Sequence, residues 1–178
     1  MTKIQTVHLI YGPTGAGKST YARSLAAELN AVRFALDDWM HGLFSADMPK
    51  QMEWAWLSAR VQRCERQIWS TSIAILATGR DVVLELGSLR ESDRSRIGEM
   101  AAIAGYHITY TFVDAEREVR RKRVMQRNIE KSASWSFDVT PAMFDAVEQI
   151  FEPPGKAELA RSIHLFTGEK HASRVETR

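Results

Sequence analysis

The run Gly12-Pro13-Thr14-Gly15-Ala16-Gly17-Lys18-Ser19 constrains this chain more than any other stretch. It completes the pattern G-x-x-x-x-G-K-[ST], and its setting suits that pattern. Val7-His8-Leu9-Ile10-Tyr11 before it reads as a buried strand, and Ser19 to Leu29 after it has helical spacing and composition. Glycines let the backbone curl so that several N–H groups point inward at phosphate oxygens, and the following helix adds its positive end. Lys18 is then expected to reach the β- and γ-phosphates as a point charge, and Ser19 to offer its hydroxyl to Mg²⁺. The expected nucleotide-binding residues are Gly12, Pro13, Thr14, Gly15, Ala16, Gly17, Lys18, Ser19 and Thr20, with ATP and Mg²⁺ as ligands.

The rest of the chain alternates strands and helices. Val32 to Leu36 is a plausible second strand, Val82 to Leu86 a third, Tyr106 to Val113 a fourth and Ser162 to Phe166 a fifth. Helical stretches run from Pro49 to about Ala77, Glu91 to Ala104, Glu116 to Lys131 and Pro141 to about Ile150. This alternation predicts an α/β fold with a parallel sheet covered on both faces. At 178 residues, with no repeat and no dividing linker, the chain reads as a single domain. Ser132 to Thr140 reads as a loop, and the tail from Gly168 as polar and loose.

A phosphate loop does not say where the phosphate goes. Asp37 and Asp38 follow the second strand, at the sheet end where ligands gather in parallel α/β folds. A carboxylate there can take the proton of an attacking hydroxyl, and Asp37 is the expected base. The competing reading makes one or both a cap of the next helix. Glu85 follows three apolar residues of the third strand, a position suited to holding Mg²⁺ directly or through water, or to acting on the acceptor. Arg120, Arg123 and Arg127 recur at spacings of three and four and share a helix face; such arginines can stabilise a phosphoryl group in transfer. Arg90 and Arg94 are further anion-binding candidates. Trp39, Phe44, Trp54, Trp56 and Trp69 crowd the region from residue 39 to 77, expected to cover the acceptor. Trp39, Asp38, His41 and Arg90 are the expected acceptor contacts.

Bulk properties narrow the partners. A formal net charge of +2 gives little support to a nucleic-acid reading. No apolar stretch is long enough for a signal peptide or a membrane span, and the one cysteine, Cys64, fits a reducing cytoplasm. The histidines do not fall at metal-ligand spacing.

The phosphate loop, the Asp37-Asp38-Trp39 pattern, the Val82–Gly87 strand and Arg123-Val124-Met125-Gln126-Arg127-Asn128 together resemble the small P-loop kinases of the AAA_33 type. That group includes zeta toxins, chloramphenicol phosphotransferase, gluconate kinase and the kinase domain of phage polynucleotide kinase. The resemblance implies a three-layer α/β/α P-loop fold with a five-stranded parallel sheet in the order 2-3-1-4-5. It also implies a general base at Asp37 and a lid over about residues 116–136 carrying Arg123 and Arg127. Glu85 stands where many relatives have Asp, and Met40 where the polynucleotide kinase domain has an arginine. The expected activity is transfer of the γ-phosphate of MgATP to a hydroxyl of a small molecule, an antibiotic, sugar or nucleotide-like metabolite. A polynucleotide 5′-hydroxyl kinase and a regulatory ATP-binding module of a toxin-like system are the alternatives.

Overall fold

In the computed structural model, which describes residues 4–49, 53–131, 138–168 and the backbone of 174–175, strand β1 (Thr6–Tyr11) divides its side chains between two apolar layers. Val7, Leu9 and Tyr11 enter one buried cluster and Ile10 another. That is the period-two pattern of a strand covered on both faces. β3 (Val82–Glu85) does the same, with Val82 and Leu84 on the first side and Val83 on the second. So does β4 (His107–Asp114), through Tyr110 and Phe112 on the first side and Val113 on the second.

β1 lies between β3 and β4, parallel to both, with Val7 opposite Val82 and Thr6 opposite His107. β2 (Val32–Ala35) adds to β3 and β5 (Ser162–Phe166) to β4, again in parallel. The five parallel strands take the order 2-3-1-4-5. A two-residue strand, β6 (Arg174–Val175), pairs antiparallel with β5 and extends the sheet into the tail that the sequence left as loose.

The helices close the two faces. α1 (Lys18–Glu28) packs Ala22 and Ala26 on the second cluster. α3 (Trp54–Ala77) and α4 (Glu91–Ile103) cover the first through Cys64, Ile68, Leu76, Ile97 and Ala101. α4 stops at Gly105, whose φ of +78° suits glycine. Tyr106 N bonds Ala101 O and Gly105 N bonds Ala102 O, each at 3.0 Å, so the helix ends in a Schellman motif. α5 (Arg117–Glu130) and α6 (Pro141–Ile150) meet over a small third cluster of Val124, Val139 and Phe144. Thr140 caps α6 by accepting Met143 N at 3.2 Å, with Pro141 in the first turn.

Several boundaries differ from the sequence reading. α2 (Leu36–Phe44) begins where the second strand was expected to end, because Leu36 continues the apolar run of β2 and conceals the change of period. α3 starts at Trp54 rather than Pro49; residues 50–52 lie outside the described residues. A short helix α7 (Lys156–Ala160) precedes β5. Of the expected loop from Ser132 to Thr140, residues 132–137 also lie outside the described residues. Among the described residues no helix is long and apolar enough to cross a membrane.

Arg94 is fully buried, and it joins α4 to α7. Its Nε and Nη2 donate to the two carboxylate oxygens of Glu158 at 2.7 and 2.8 Å, and its Nη1 to Ser88 O and Leu89 O at 3.3 Å. Its Cζ lies 4.9 Å from the centre of the Tyr11 ring. Arg94 does not serve as the expected anion-binding residue, since its fork is committed to an internal carboxylate. Hydrogen bonding from Arg94 holds the Glu158 carboxyl below its usual range, against its burial. A depressed carboxylate contributes stability above its unfolded pKa and loses it as pH falls through the folded one. Arg94→Met should strand Glu158 and destabilise the protein by about 3–5 kcal/mol in urea unfolding, and Arg94→Met with Glu158→Leu should recover more than half of that loss.

Candidate active site

The phosphate loop turns between β1 and α1 with three glycines at positive φ, Gly12 at +144°, Gly15 at +80° and Gly17 at +96°. Two of them are also close approaches. A Cβ at Gly12 would stand 2.0 Å from Val113 O, and one at Gly15 would stand 2.6 Å from Arg120 O. The loop thus needs glycine both for its curl and for its seat on β4 and α5.

Lys18 opens α1 and folds back over the loop. Its Nζ donates to Gly12 O and Pro13 O, each at 2.9 Å. Burial lowers its pKa; Glu85 and Asp37 oppose that, while Arg127 and Arg120 add to it. Lys18 therefore shares one crevice with two acids and two guanidinium groups.

Sheet register explains the next contact. Ala35 lies opposite Glu85 and Arg33 opposite Val83, so Arg33 and Glu85 are diagonal neighbours on the face that carries α1. Arg33 Nη2 and Nε donate to Glu85 Oε2 at 2.7 and 3.3 Å, and Nη1 to Asp38 Oδ2 at 2.8 Å. Ser19 Oγ donates to Glu85 Oε1. Burial works against the charge of Arg33, but hydrogen bonds and charge from Glu85 and then Asp38 outweigh it and raise its pKa. Arg33 was missed in the sequence. Its signal was a lone guanidinium inside the strand Val32-Arg33-Phe34-Ala35, although nothing local names a partner 52 residues away.

Asp37 and Asp38 sit in the first turn of α2, where the helix dipole favours carboxylates. Neither caps the helix, because the N-cap is Ala35 and no side chain supplies a cap bond. Asp38 is tied to Arg33. No hydrogen bond reaches the Asp37 carboxylate from the described residues. Asp37 is open to solvent at the crevice mouth, yet protein crowds its carboxyl. That desolvation raises its pKa; Lys18 and Arg127 oppose the rise, while Glu85 and Asp38 add to it.

The three arginines of α5 share a face but not a task. Arg120 is buried, and its Nη1 and Nη2 hold Glu148 at 2.5 and 2.7 Å. Its Nε donates to Ala115 O at 2.9 Å and its Nη1 to Thr14 O at 3.3 Å, so it braces the loop from behind. Arg123 donates to Thr167 Oγ1 at 2.9 Å and Thr167 O at 2.5 Å. Thr167, a second residue the sequence did not single out, donates its hydroxyl hydrogen bond to Ala16 O at 2.7 Å and so latches the end of β5 to the loop. Arg127 alone has a buried Nε with no partner, and its charge bears on both Lys18 and Asp37.

The remaining candidates scatter. His41 lies one turn beyond Asp37 on the same side of α2 and is partly buried. Trp39 packs edge-on against Phe34, with ring centres 6.2 Å apart. Together with Gly42 and Leu43 it lines a shallow cavity of about 330 Å³. Those residues lie about 140–240° round the helix from Asp37, so this cavity is separate from the crevice. Arg90 is exposed at the N-cap of α4, its backbone N donating to Asp93 Oδ2 at 3.2 Å.

The donor set fits Mg²⁺. Among the described residues no three His, Cys, Asp or Glu side chains converge as a metal cage. Mg²⁺ bridging phosphates needs only one or two protein oxygens beside water and phosphate. Ser19 and Glu85 supply a hydroxyl and a carboxylate already in contact. Arg33 neutralises part of the Glu85 charge, which favours a contact through water.

Residues 7–154 match the family AAA_33, described as an AAA domain, and the chain belongs to that family. Comparison with curated proteins gives no match. Among solved structures the chain is similar to a protein from Chloroflexus aurantiacus assigned as a kinase, at 19% identity and a TM-score of 0.70, covering 93% of this chain and 89% of that one. It is similar to the APS kinase CysC of Mycobacterium tuberculosis in complex with AMPPNP and APS, at 16% identity and a TM-score of 0.59, covering 94% and 90%. It also resembles a chain of the Pnkp1/Rnl/Hen1 RNA repair complex, at 20% identity and a TM-score of 0.64, covering 84% of this chain and 44% of that one. These likenesses establish the P-loop fold.

Removing Arg33 tests the network around Glu85. Arg33→Met should destabilise the protein by about 3 kcal/mol in chemical unfolding, because it leaves a buried carboxylate without its partner, whereas Arg33→Lys should lose roughly half as much.

Proposed function

We propose that this chain is an ATP-dependent phosphotransferase that moves the γ-phosphate to a hydroxyl of a small molecule. The observation that carries the reading is the shared crevice of Lys18 and Asp37. The ammonium and the carboxylate perturb one another's ionisation, and the carboxylate is not engaged by any hydrogen-bond donor among the described residues. Lys18 and the amides of Gly12–Thr20 bind the β- and γ-phosphates. Asp37 orients the acceptor hydroxyl and takes its proton as the oxygen attacks the γ-phosphorus. The new O–P bond forms as the bond from the γ-phosphorus to the β–γ bridging oxygen breaks, and ADP leaves with that electron pair. Arg127 has a donor to spare and offsets charge on the transferring group, while Arg123 holds the end of β5 to the loop. Ser19 and, through water, Glu85 would hold Mg²⁺, which supplies charge neutralisation at the phosphate oxygens when bound.

The region 39–77, which holds most of α2 and all of α3, carries acceptor choice. α5, within the region 116–136, carries the arginines and acts as the lid. A screen that follows the label of γ-labelled ATP into small-molecule hydroxyl compounds and into 5′-hydroxyl oligonucleotides tests this reading; label gained by the oligonucleotides alone would make the acceptor a polynucleotide.

Lys18→Ala should lower turnover by on the order of 10²–10³-fold with the fold intact, as expected for loss of one preorganised charge donor. Asp37→Asn should keep MgATP binding and lower kcat by about 10²–10⁴-fold. Asp37 must be deprotonated to act. Its raised pKa therefore places the acid limb of the rate profile above the range of an ordinary aspartate, about 4, with activity growing as pH rises through it. Asp37→Asn should lack that limb. Turnover by Asp37→Asn equal to that of the parent would move the base elsewhere.

A further inference from the structure

α2 and α3 run antiparallel along one seam. Cys64 Sγ lies 3.9 Å from Met40 Sδ, and further along, the Phe44 ring meets Trp56 edge-on with centres 6.4 Å apart. By helix geometry His41 and Phe44 fall within about 40° of Asp37 on the surface of α2, and Phe44 lies roughly 10 Å along the axis from it. The strip that begins at the expected base therefore ends at Phe44 and the first turns of α3.

Arg60 occupies that end. Its Cζ stands 3.8 Å from the centre of the Trp56 ring and 5.5 Å from that of Phe44. Nη1 donates to Trp56 O at 3.1 Å, and Nε is buried with no partner. Arg33, Arg94 and Arg120 each hold a carboxylate, whereas Arg60, like Arg127, keeps a buried Nε without a partner. No carboxylate pairs with Arg60 among the described residues. Its guanidinium is thus fixed on an aromatic face, partly stripped of water and left unneutralised. A desolvated donor in that state gains strongly from an anion that completes its hydrogen bonds.

We infer that Arg60 receives an anionic group of the acceptor. The substrate class is then a hydroxyl compound that also carries a carboxylate or a phosphate. The placing of the hydroxyl end rests on Asp37 as the base; the anion site at Arg60 does not.

Matched pairs test it: glucose with gluconate and with glucose 6-phosphate, and thymidine with thymidine 5′-phosphate. Titration calorimetry on protein saturated with MgADP should show the anionic member of at least one pair binding tenfold or more tighter than its neutral partner. Arg60→Gln should abolish that preference and Arg60→Lys keep part of it, with cooperative unfolding retained and MgATP affinity unchanged. In transfer from labelled ATP, Arg60→Gln should raise the acceptor KM about tenfold or more and leave kcat within about twofold. The gluconate and phosphate arms tell which anion is preferred. Equal binding of neutral and anionic members in every pair, or an anion preference that survives Arg60→Gln, would overturn the inference. If the parent protein fails to bind MgATP, the phosphotransferase reading falls. The anion site is then judged by the same titrations on Lys18→Ala protein, where the phosphate loop no longer competes for anions.

Discussion

A lysine ammonium lying against two carbonyls of its own loop, 2.9 Å from each, sets the terms for everything around it. Two carbonyl dipoles do not neutralise a desolvated cation. The charges that do so come from elsewhere in the fold, Glu85 at the end of β3 and Asp37 at the start of α2. Glu85 is buried and protein crowds the Asp37 carboxyl at the crevice mouth, and guanidinium groups answer both, Arg33 at Glu85 and Arg127 near Asp37. The crevice is a chain of mutual compensation in which removing one member exposes the next. Such a site suits a ligand of high negative charge, because a triphosphate can replace carbonyls and carboxylates as the partner of Lys18.

How much of this could be read in the sequence depended on distance along the chain. The phosphate loop is contiguous, and its residues are spaced by the chemistry itself, so its place between β1 and α1 was legible. Glu85 was legible too, because an acid at the end of Val82-Val83-Leu84 breaks a rule that strands otherwise keep. The parallel order of the strands followed from family resemblance, and the structure reproduces it. What failed was local or long-range in a specific way. α2 was hidden because Leu36 prolongs the apolar pattern of β2. Arg120, Arg123 and Arg127 are equivalent on a helical wheel, and only Glu148, Thr167 and the phosphate loop, all remote in sequence, give them different roles. Arg94 reads in the sequence as an anion-binding candidate, but Glu158, 64 positions away, claims it.

The two ends of the crevice are built differently. The phosphate end rests on strand termini, a helix N-terminus and glycines that tolerate no side chain. The proposed acceptor end rests on α2 and α3, which meet through Met40 with Cys64 and Phe44 with Trp56. A P-loop family can keep the first end and vary the second through the partly exposed side chains of these helices, while Met40 and Cys64 stay in the core shared with the sheet. Arg60, stacked on Trp56 and only partly buried, is the kind of residue through which such variation acts.

The account stands or falls on whether the loop receives a triphosphate beside Asp37. A crystal structure of the protein with MgAMPPNP measures that directly. Lys18 Nζ should leave Gly12 O and Pro13 O for β- and γ-phosphate oxygens, and Ser19 Oγ should exchange Glu85 for the metal. Asp37 should stand within hydrogen-bond reach of the site an attacking hydroxyl must occupy. A nucleotide bound elsewhere, or a Lys18 still resting on its own loop with the triphosphate present, would contradict it.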